Sequence, residues 1–220
     1  MNASVNILEN GDLNLLSSVS PIYLDYQSTT PIDPRVFATV KRFMEEEFGN
    51  PHSQHHYGEI ASVAGEKARG EISDLIEAFP NEIIFTSGAT ESNNLAILGL
   101  REMLKEGRNH LVTLSTEHKC VLAAMNEMKR LGFNVDVMPV NSDGSIDLDI
   151  LDTLITDKTA LVSILYVNNE IGTIHPISEI SAICQKHGAL FHTDAAQATG
   201  KIPIDVDRDG IDLLSISGHK

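Results

Sequence analysis

The chain has 220 residues, and its hydrophobic fraction of 42% is that of a globular protein with a core rather than of a disordered chain. Its 31 acidic and 16 basic side chains give a formal net charge of −15, which argues against nucleic acid as a partner because phosphate binding needs Lys and Arg. No apolar run approaches the roughly 20 residues that span a bilayer, so no membrane partner is predicted.

The start of the chain matches no targeting signal. Arg35 is the first basic residue, whereas a secretory signal begins with basic residues and a mitochondrial transit peptide is rich in Arg. We therefore predict a cytoplasmic protein in which residues 1–20 form a polar extension and residues 21–220 form one domain. Two cysteines, Cys120 and Cys184, are too few for a disulfide framework and are interpreted as packed or idle thiols.

From residue 34 onward, helical patterns alternate with apolar runs typical of strands. In chain order, helices are predicted at 35–48, 60–79, 90–105, 118–131, 148–155 and 177–187, and strands at 82–86, 110–114, 133–138, 160–167, 189–193 and 211–217. The run ALVSILYV is apolar throughout, which indicates a strand buried on both faces, as in a parallel sheet covered by helices. The alternation predicts a layered α/β domain, and because no helix follows the last strand we expect that domain to be incomplete.

Polar clusters follow several of these strands, and in an open α/β sheet ligands bind at the carboxyl ends of the strands. The first cluster is Thr86-Ser87-Gly88-Ala89-Thr90-Glu91. Its small residues would let backbone N–H groups approach an anion at a helix N-terminus, with the Thr90 hydroxyl as a further donor. The alternative is a tight turn in which Thr90 caps the helix. No Gly-Lys-Ser/Thr follows, so a nucleoside triphosphate is disfavoured.

Two further clusters offer a histidine and a lysine. His118, after the strand at 110–114, could stack on a flat heteroaromatic ring or shuttle a proton, or it could be a capping or surface residue. Lys220 follows Ser217 and His219, two potential phosphate donors, and suits a Schiff base with an aldehyde cofactor. The alternative for Lys220 is an ordinary exposed lysine.

The fourth cluster contains His192 and Asp194, which alternation places on the same side of a strand. This pair suits either a metal site or a carboxylate that faces a cofactor ring. No further ligands lie at recognisable spacing, so no metal is predicted. The run His52, His55 and His56 lacks a neighbouring Cys or carboxylate and is interpreted as a loop or a solvated surface.

Taken together, these segments resemble the cysteine desulfurases of the class V aminotransferase family. The resemblance spans residues 22–220 and is carried by YLDYQSTTP, GNPHSQHHYG, FTSGATESNN, TEHK, VNNEIG, HTDAAQATGK and SGHK. It implies the three-layer, mainly parallel α/β sheet of the aspartate-aminotransferase-like large domain, here incomplete. TEHK and NNEIG are most similar to the branch that serves iron–sulfur-cluster assembly.

The resemblance also implies a cofactor, pyridoxal phosphate, and a role for each matching residue. Lys220 would carry the cofactor, His118 would stack on its ring and take part in proton transfers, and Asp194 would pair with the ring nitrogen. Gln197 would hydrogen-bond the phenolate oxygen, and Asn169 would lie beside the cofactor and the substrate carboxylate. The phosphate would be held by Ala89, Thr90, Ser217 and His219.

The implied reaction converts L-cysteine to L-alanine and leaves the sulfur as a persulfide on an enzyme cysteine. That cysteine belongs to a later part of the family's sequence, and neither Cys120 nor Cys184 matches it. The implied partners are a second copy in a homodimer and an iron–sulfur scaffold or another sulfur acceptor. The 220 residues alone are expected to be inactive. The alternatives are a selenocysteine lyase or small-amino-acid aminotransferase of the same fold, or a non-catalytic truncated product.

Overall fold

The computed structural model of the protein describes residues 21–102 and 107–220. The predicted extension at residues 1–20 lies outside this range, as does the end of the helix predicted at 90–105. None of the helices in the described part is long and apolar enough to cross a membrane.

Apart from the strand predicted at 82–86, helices and strands alternate as the sequence predicted, with ends that shift by a few residues. The helices are α1 Pro34–Glu45, α2 His56–Leu75, α3 Ala89–Gly99, α4 Lys119–Arg130, α5 Leu148–Leu154 and α6 Ile177–His187, with short 3-10 turns at Pro80–Glu82 and Leu100–Glu102. The strands are β1 His110–Leu114, β2 Asn134–Met138, β3 Thr159–Ser163, β4 Leu190–Asp194 and β5 Leu213–Ser215.

Local chemistry explains several of these ends. Asp33 caps α1 by accepting a hydrogen bond from the Arg35 backbone N–H, and Pro34 occupies the first helical position, where its missing N–H costs nothing. Asp147 caps α5 in the same way. Gly188 ends α6 in the left-handed conformation at φ 68°, which glycine adopts without a steric penalty.

The five strands form one sheet in the order β2-β1-β3-β4-β5, and every neighbouring pair is parallel. This confirms the parallel sheet predicted from the apolar run ALVSILYV. Because all five strands run the same way, their carboxyl ends lie along one edge of the sheet.

Helices cover both faces of the sheet, so the domain has three layers. Leu111 and Leu161 pack on one side with α3 and α4, through a cluster that also contains Ile97, Val121, Ala124, Met125 and Met128. Val112, Val162 and Phe191 pack on the other side with α5 and α6, in a cluster that includes Leu151, Ile177, Ile180 and Cys184. Successive side chains of a strand therefore pack against helices on opposite faces of the sheet, because they point alternately to either side. Cys184 is packed, as predicted.

The strand predicted at 82–86 is wrong. Pro80–Glu82 forms a 3-10 turn, and in the residues that follow it Ile84 and Phe85 are 70% and 53% exposed. An apolar run of this kind becomes a strand only when a neighbouring strand accepts its backbone hydrogen bonds, and no described strand pairs with it.

Candidate active site

A cleft of about 780 Å³ opens at the carboxyl edge of the sheet, and a smaller cavity of about 40 Å³ shares part of its wall. All nine residues that the sequence singled out line one or both of these spaces. Ala89, Thr90, His118, Asn169 and Lys220 line both, Ser217 and His219 line the cleft, and Asp194 and Gln197 line the smaller cavity. The fold therefore brings together residues from five separate segments of the chain.

The N-terminus of α3 forms one wall of the cleft. Gly88 occupies the N-cap position at φ 152°, a conformation that disfavours any side chain, and it makes no side-chain cap. The alternative in which Thr90 caps the helix is therefore wrong. The Glu91 carboxylate turns back to accept a hydrogen bond from the Ser87 backbone N–H at 2.5 Å, which lowers the pKa of Glu91. The helix start therefore faces the cleft with backbone N–H groups that suit an anion.

His118 is both a helix cap and a cleft residue. It occupies the N-cap of α4, where its Nδ1 accepts a hydrogen bond from the Cys120 backbone N–H at 3.3 Å and lies 2.9 Å from the Cys120 Sγ. A backbone N–H can only donate, so Nδ1 presents its lone pair and the neutral ring carries its proton on Nε2. The capping interpretation is therefore confirmed, whereas stacking on a ring and proton transfer by His118 stay predictions.

Asp194 ends β4 with its side chain buried beside the cavity that Lys220 also lines. Its Oδ2 accepts a hydrogen bond from Asn93 Nδ2 at 2.7 Å, and its Oδ1 accepts one from the Ala196 backbone N–H at 2.9 Å. Both donors are neutral, and a buried carboxylate with neutral donors alone favours a cationic group in the adjoining space.

Asn93 was not among the predicted site residues. It lies in α3 and is fully buried, and its Oδ1 has no hydrogen-bond partner among the described residues. An Asn one turn after Thr90, on the face of α3 that covers the sheet, was the available signal, because a buried amide is normally paired.

Below Asp194, buried hydrogen bonds join three strands to α3. His192 Nδ1 lies 2.8 Å from Ser163 Oγ, and its Nε2 lies 3.0 Å from Ser215 Oγ, which in turn receives the hydroxyl of Ser92 at 2.9 Å. Burial lowers the pKa of His192 to about 4, so its ring is neutral. His192 and Asp194 do lie on one side of the strand, as predicted, but both ring nitrogens are engaged by serines. The described residues contain no group of three or more His, Cys, Asp or Glu placed to hold a metal ion.

The loop at residues 25–30 supplies a wall that the sequence analysis missed. Thr30 Oγ1 donates to the His219 carbonyl at 2.8 Å, and Gln197 Nε2 donates to the Gln27 carbonyl at 2.9 Å. The segment YLDYQSTTP carried part of the family resemblance, but no site residue was predicted in it. Asp25, Gln27 and Ser28 line the cleft.

Asn169 lies on the chain that leaves β3, next to the His118 loop. Its Nδ2 donates to Glu170 Oε1 at 2.7 Å. The neighbouring Asn168 is buried and donates from Nδ2 to the Thr116 carbonyl at 3.1 Å. The cleft of this α/β protein therefore suits an anionic group at the start of α3 and a cationic group beside Asp194.

Comparison with known proteins identifies the class. Residues 22–220 match the family model described as Aminotransferase class-V. The mitochondrial cysteine desulfurase of Eremothecium gossypii is 56% identical over 201 residues, which are 91% of this chain and 41% of that protein. The cysteine desulfurase IscS of Rickettsia bellii is 52% identical over 212 residues, which are 96% of this chain and 51% of that protein. A solved structure described as SspA in complex with cysteine superposes with a TM-score of 0.86 at 43% identity, covering 90% of this chain and 57% of that one.

The chain belongs to the class V aminotransferase family, and it spans about half the length of the curated relatives it matches. Class V aminotransferases are pyridoxal-phosphate enzymes. The cleft fits that cofactor on three observations: backbone N–H groups at the start of α3 suit its phosphate, the buried Asp194 suits its cationic ring nitrogen, and Lys220 offers an amine to its aldehyde.

Proposed function

We propose that this chain is the cofactor-binding part of a cysteine desulfurase, which converts L-cysteine to L-alanine and passes the sulfur to a cysteine of the enzyme. The observation that carries the proposal is the convergence of Asp194, Lys220 and the start of α3 on one pair of adjoining cavities. The identity of 56% and 52% with proteins named as cysteine desulfurases supports the choice of substrate.

When bound, pyridoxal phosphate supplies an electron sink that makes the α-carbon of an amino acid acidic. The residues of the chain would bind this cofactor and transfer protons. The N–H groups of Ala89 and Thr90, with Ser217 and His219, bind the phosphate. Asp194 holds a proton on the ring nitrogen, because its buried negative charge stabilises the positive one.

Proton transfers at the substrate fall to two side chains. The amine of Lys220 would take the proton from the substrate α-carbon. His118 would lie against the ring and offer the proton of Nε2, because Nδ1 caps α4. Gln197 and Asn169 orient the ring oxygen and the substrate carboxylate.

The sulfur is proposed to leave through a cysteine in the part of the relatives that this chain does not match. Cys184 is unsuited to that role, because burial raises its pKa to about 12 and the thiolate is the nucleophile. Cys120 is engaged with His118 at the start of α4. We further propose a homodimer that delivers sulfur to an iron–sulfur scaffold or another acceptor protein.

The cytoplasm remains the proposed compartment, because two free cysteines are typical of a reducing environment. The relatives are named both as mitochondrial and as bacterial proteins. Cell fractionation followed by immunoblotting tests this point, and recovery in an organelle fraction would contradict it.

The test of the proposed function uses a polypeptide of the relatives' full length that contains these residues, incubated with pyridoxal phosphate. We expect alanine and sulfide from L-cysteine in the presence of a thiol reductant. Lys220→Ala should abolish both the absorbance of lysine-linked cofactor and turnover. Lys67→Ala, on an exposed side chain of α2, is the matched control and should change neither. A Lys220→Ala protein that keeps covalent cofactor and activity would refute the assignment. Higher turnover of selenocysteine, or an amino acid product from a keto acid, would favour the alternative enzymes of this fold.

A further inference from the structure

Glu117 is a buried acid that the proposed function leaves without a role. It lies between β1 and α4, directly before His118, and is only 6% exposed. Its Oε1 accepts a hydrogen bond from the Leu165 backbone N–H at 2.6 Å. Its Oε2 is buried and has no hydrogen-bond partner among the described residues.

The surroundings of Glu117 disfavour a negative charge. An ionised carboxylate taken out of water needs a cation or several donors, but among the described residues Glu117 accepts a hydrogen bond from one backbone N–H. The charged group that acts on it is Asp194, which has the same sign. Burial, followed by this repulsion, raises the pKa of Glu117 well above its ordinary value, although the Leu165 hydrogen bond opposes the rise. Because the Leu165 N–H occupies a lone pair of Oε1, the retained proton belongs on Oε2.

This acid joins the two segments that carry His118 and Asn169. Leu165 lies just beyond the end of β3, on the chain that continues to Asn169. The hydrogen bond from Asn168 Nδ2 to the Thr116 carbonyl at 3.1 Å crosses between the same two segments. His118 and Asn169 both line the cleft and the smaller cavity. Two adjacent bonds thus fix the separation of two site residues that lie about fifty positions apart in the chain.

We propose that Glu117 is a positioning residue that works as an un-ionised acid, holding the His118 turn against the end of β3. Its bridge to Leu165 keeps His118 and Asn169 at the spacing that a flat ring ligand requires. That His118 and Asn169 are spaced for a ring ligand rests on the proposed function. The protonation of Glu117 and its hydrogen bond from the Leu165 N–H do not depend on that function.

The substitutions Glu117→Gln and Glu117→Ala separate this role from others. Gln keeps an acceptor for the Leu165 N–H and replaces the buried hydroxyl with a neutral donor, so it mimics the un-ionised acid. Ala leaves the Leu165 N–H unpaired in the interior, which is costly. Glu71→Gln and Glu71→Ala, at an exposed position of α2, are the matched controls.

The first measurement is infrared difference spectroscopy at neutral pH on the full-length protein, wild type minus Glu117→Gln. We expect the C=O stretching band of an un-ionised carboxylic acid, and no such band for Glu71→Gln. Carboxylate bands in place of that band would overturn the proposal.

The second measurement is the Kd of pyridoxal phosphate, from absorbance titration, together with Tm. We expect Glu117→Gln to bind within about threefold of the wild type and Glu117→Ala to bind about tenfold or more weakly, with a lower Tm. A Gln variant as weak as the Ala variant, or an Ala variant as tight as the wild type, would overturn the proposal. These results do not depend on the outcome for Lys220→Ala. If that variant refuted the proposed function, the infrared band would still show whether Glu117 is protonated. The difference in Tm between the Gln and Ala variants would still show whether its hydrogen bond to Leu165 matters.

Discussion

Replacing Asp194 with Asn removes the negative charge of the site and keeps nearly the same shape. The Ala196 N–H can still donate to the remaining amide oxygen, but the position of Oδ2 becomes an NH₂ group that faces Asn93 Nδ2, at 2.7 Å in the wild type. Two donors then oppose each other in the interior. We therefore expect a modest loss of stability, of about 1–3 kcal/mol, from one unsatisfied buried group.

The effect on turnover should be larger than the effect on stability. Asp194 is 7% exposed, so solvent screens its charge little. Removing one partner of a buried ion pair typically costs about 3–5 kcal/mol. If that cost falls on the step that removes the α-proton, turnover of L-cysteine drops by a factor of about 10² to 10⁴, at 1.36 kcal/mol for each tenfold.

The assay compares alanine release by the full-length wild-type and Asp194→Asn proteins at saturating pyridoxal phosphate. Cofactor absorbance should show that the variant still carries the group, because Lys220 and the start of α3 are untouched. Asp74→Asn, an exposed residue of α2, controls for the loss of one surface charge. A drop in turnover of less than about tenfold, roughly 1.4 kcal/mol, would show that Asp194 is not the electrostatic partner of the ring.

Two further predictions concern the start of α3 and the buried histidine. Gly88→Val should weaken pyridoxal phosphate binding by about tenfold, since a β-branched residue at φ 152° is strained by about 1–3 kcal/mol. Absorbance titration measures the Kd, and an unchanged Kd would contradict this prediction. Burial lowers the pKa of His192 to about 4 in the folded protein, against an ordinary value of 6.5. The unfolded chain therefore binds a proton more readily than the folded one. The contribution of His192 to stability is complete above pH 6.5 and is lost as the pH falls toward 4, by about 3 kcal/mol in total. Denaturant unfolding from pH 7 to pH 4 should show this fall, and His192→Gln should fall less over the same range; equal slopes would contradict the assignment.

The strands and the edge that holds the site could be predicted because each strand carries its own signal. Apolar runs such as ALVSILYV are local, and so are the polar residues that end them, including Asp194 and Ser217. The rule that ligands bind at the carboxyl ends of parallel strands then placed the cleft. The assignment of pyridoxal phosphate needed the family resemblance, because the residues alone left His118 and Lys220 with ordinary alternatives.

What the sequence did not reveal depends on contacts between distant positions. Asn93 and Asp194 are 101 positions apart, and Thr30 and the His219 carbonyl are 189 apart. Neither pair has a local signature, since an Asn in a helix and a Thr in a loop are common in any surface. The failed strand at 82–86 has the same cause, because strand formation depends on a partner that lies elsewhere.

The surface of residues 1–220 predicts how this polypeptide behaves when it is expressed alone. None of the residues of α1 is buried, and Phe37, Val40 and Met44 lie on one face of that helix at helical spacing. Phe48, just beyond the end of α1, is 71% exposed. Among the described aromatic residues it stacks only on Tyr57, with 6.2 Å between the ring centroids. Soluble monomers rarely expose apolar surface of this extent in one place.

The sheet adds to this tendency, because β5 pairs with β4 alone among the described strands and so presents an open edge. We expect residues 1–220 to elute from a size-exclusion column well ahead of a monomer. Phe37→Lys with Met44→Lys should shift the protein toward the monomer, since charge on that face opposes self-association. The polypeptide should also release no sulfide from L-cysteine beyond the rate of free pyridoxal phosphate, because Thr90 and His219 are exposed and the cleft admits water. A monodisperse monomer, or sulfide release that rises with protein concentration, would show that the apolar face and the open cleft have been misread.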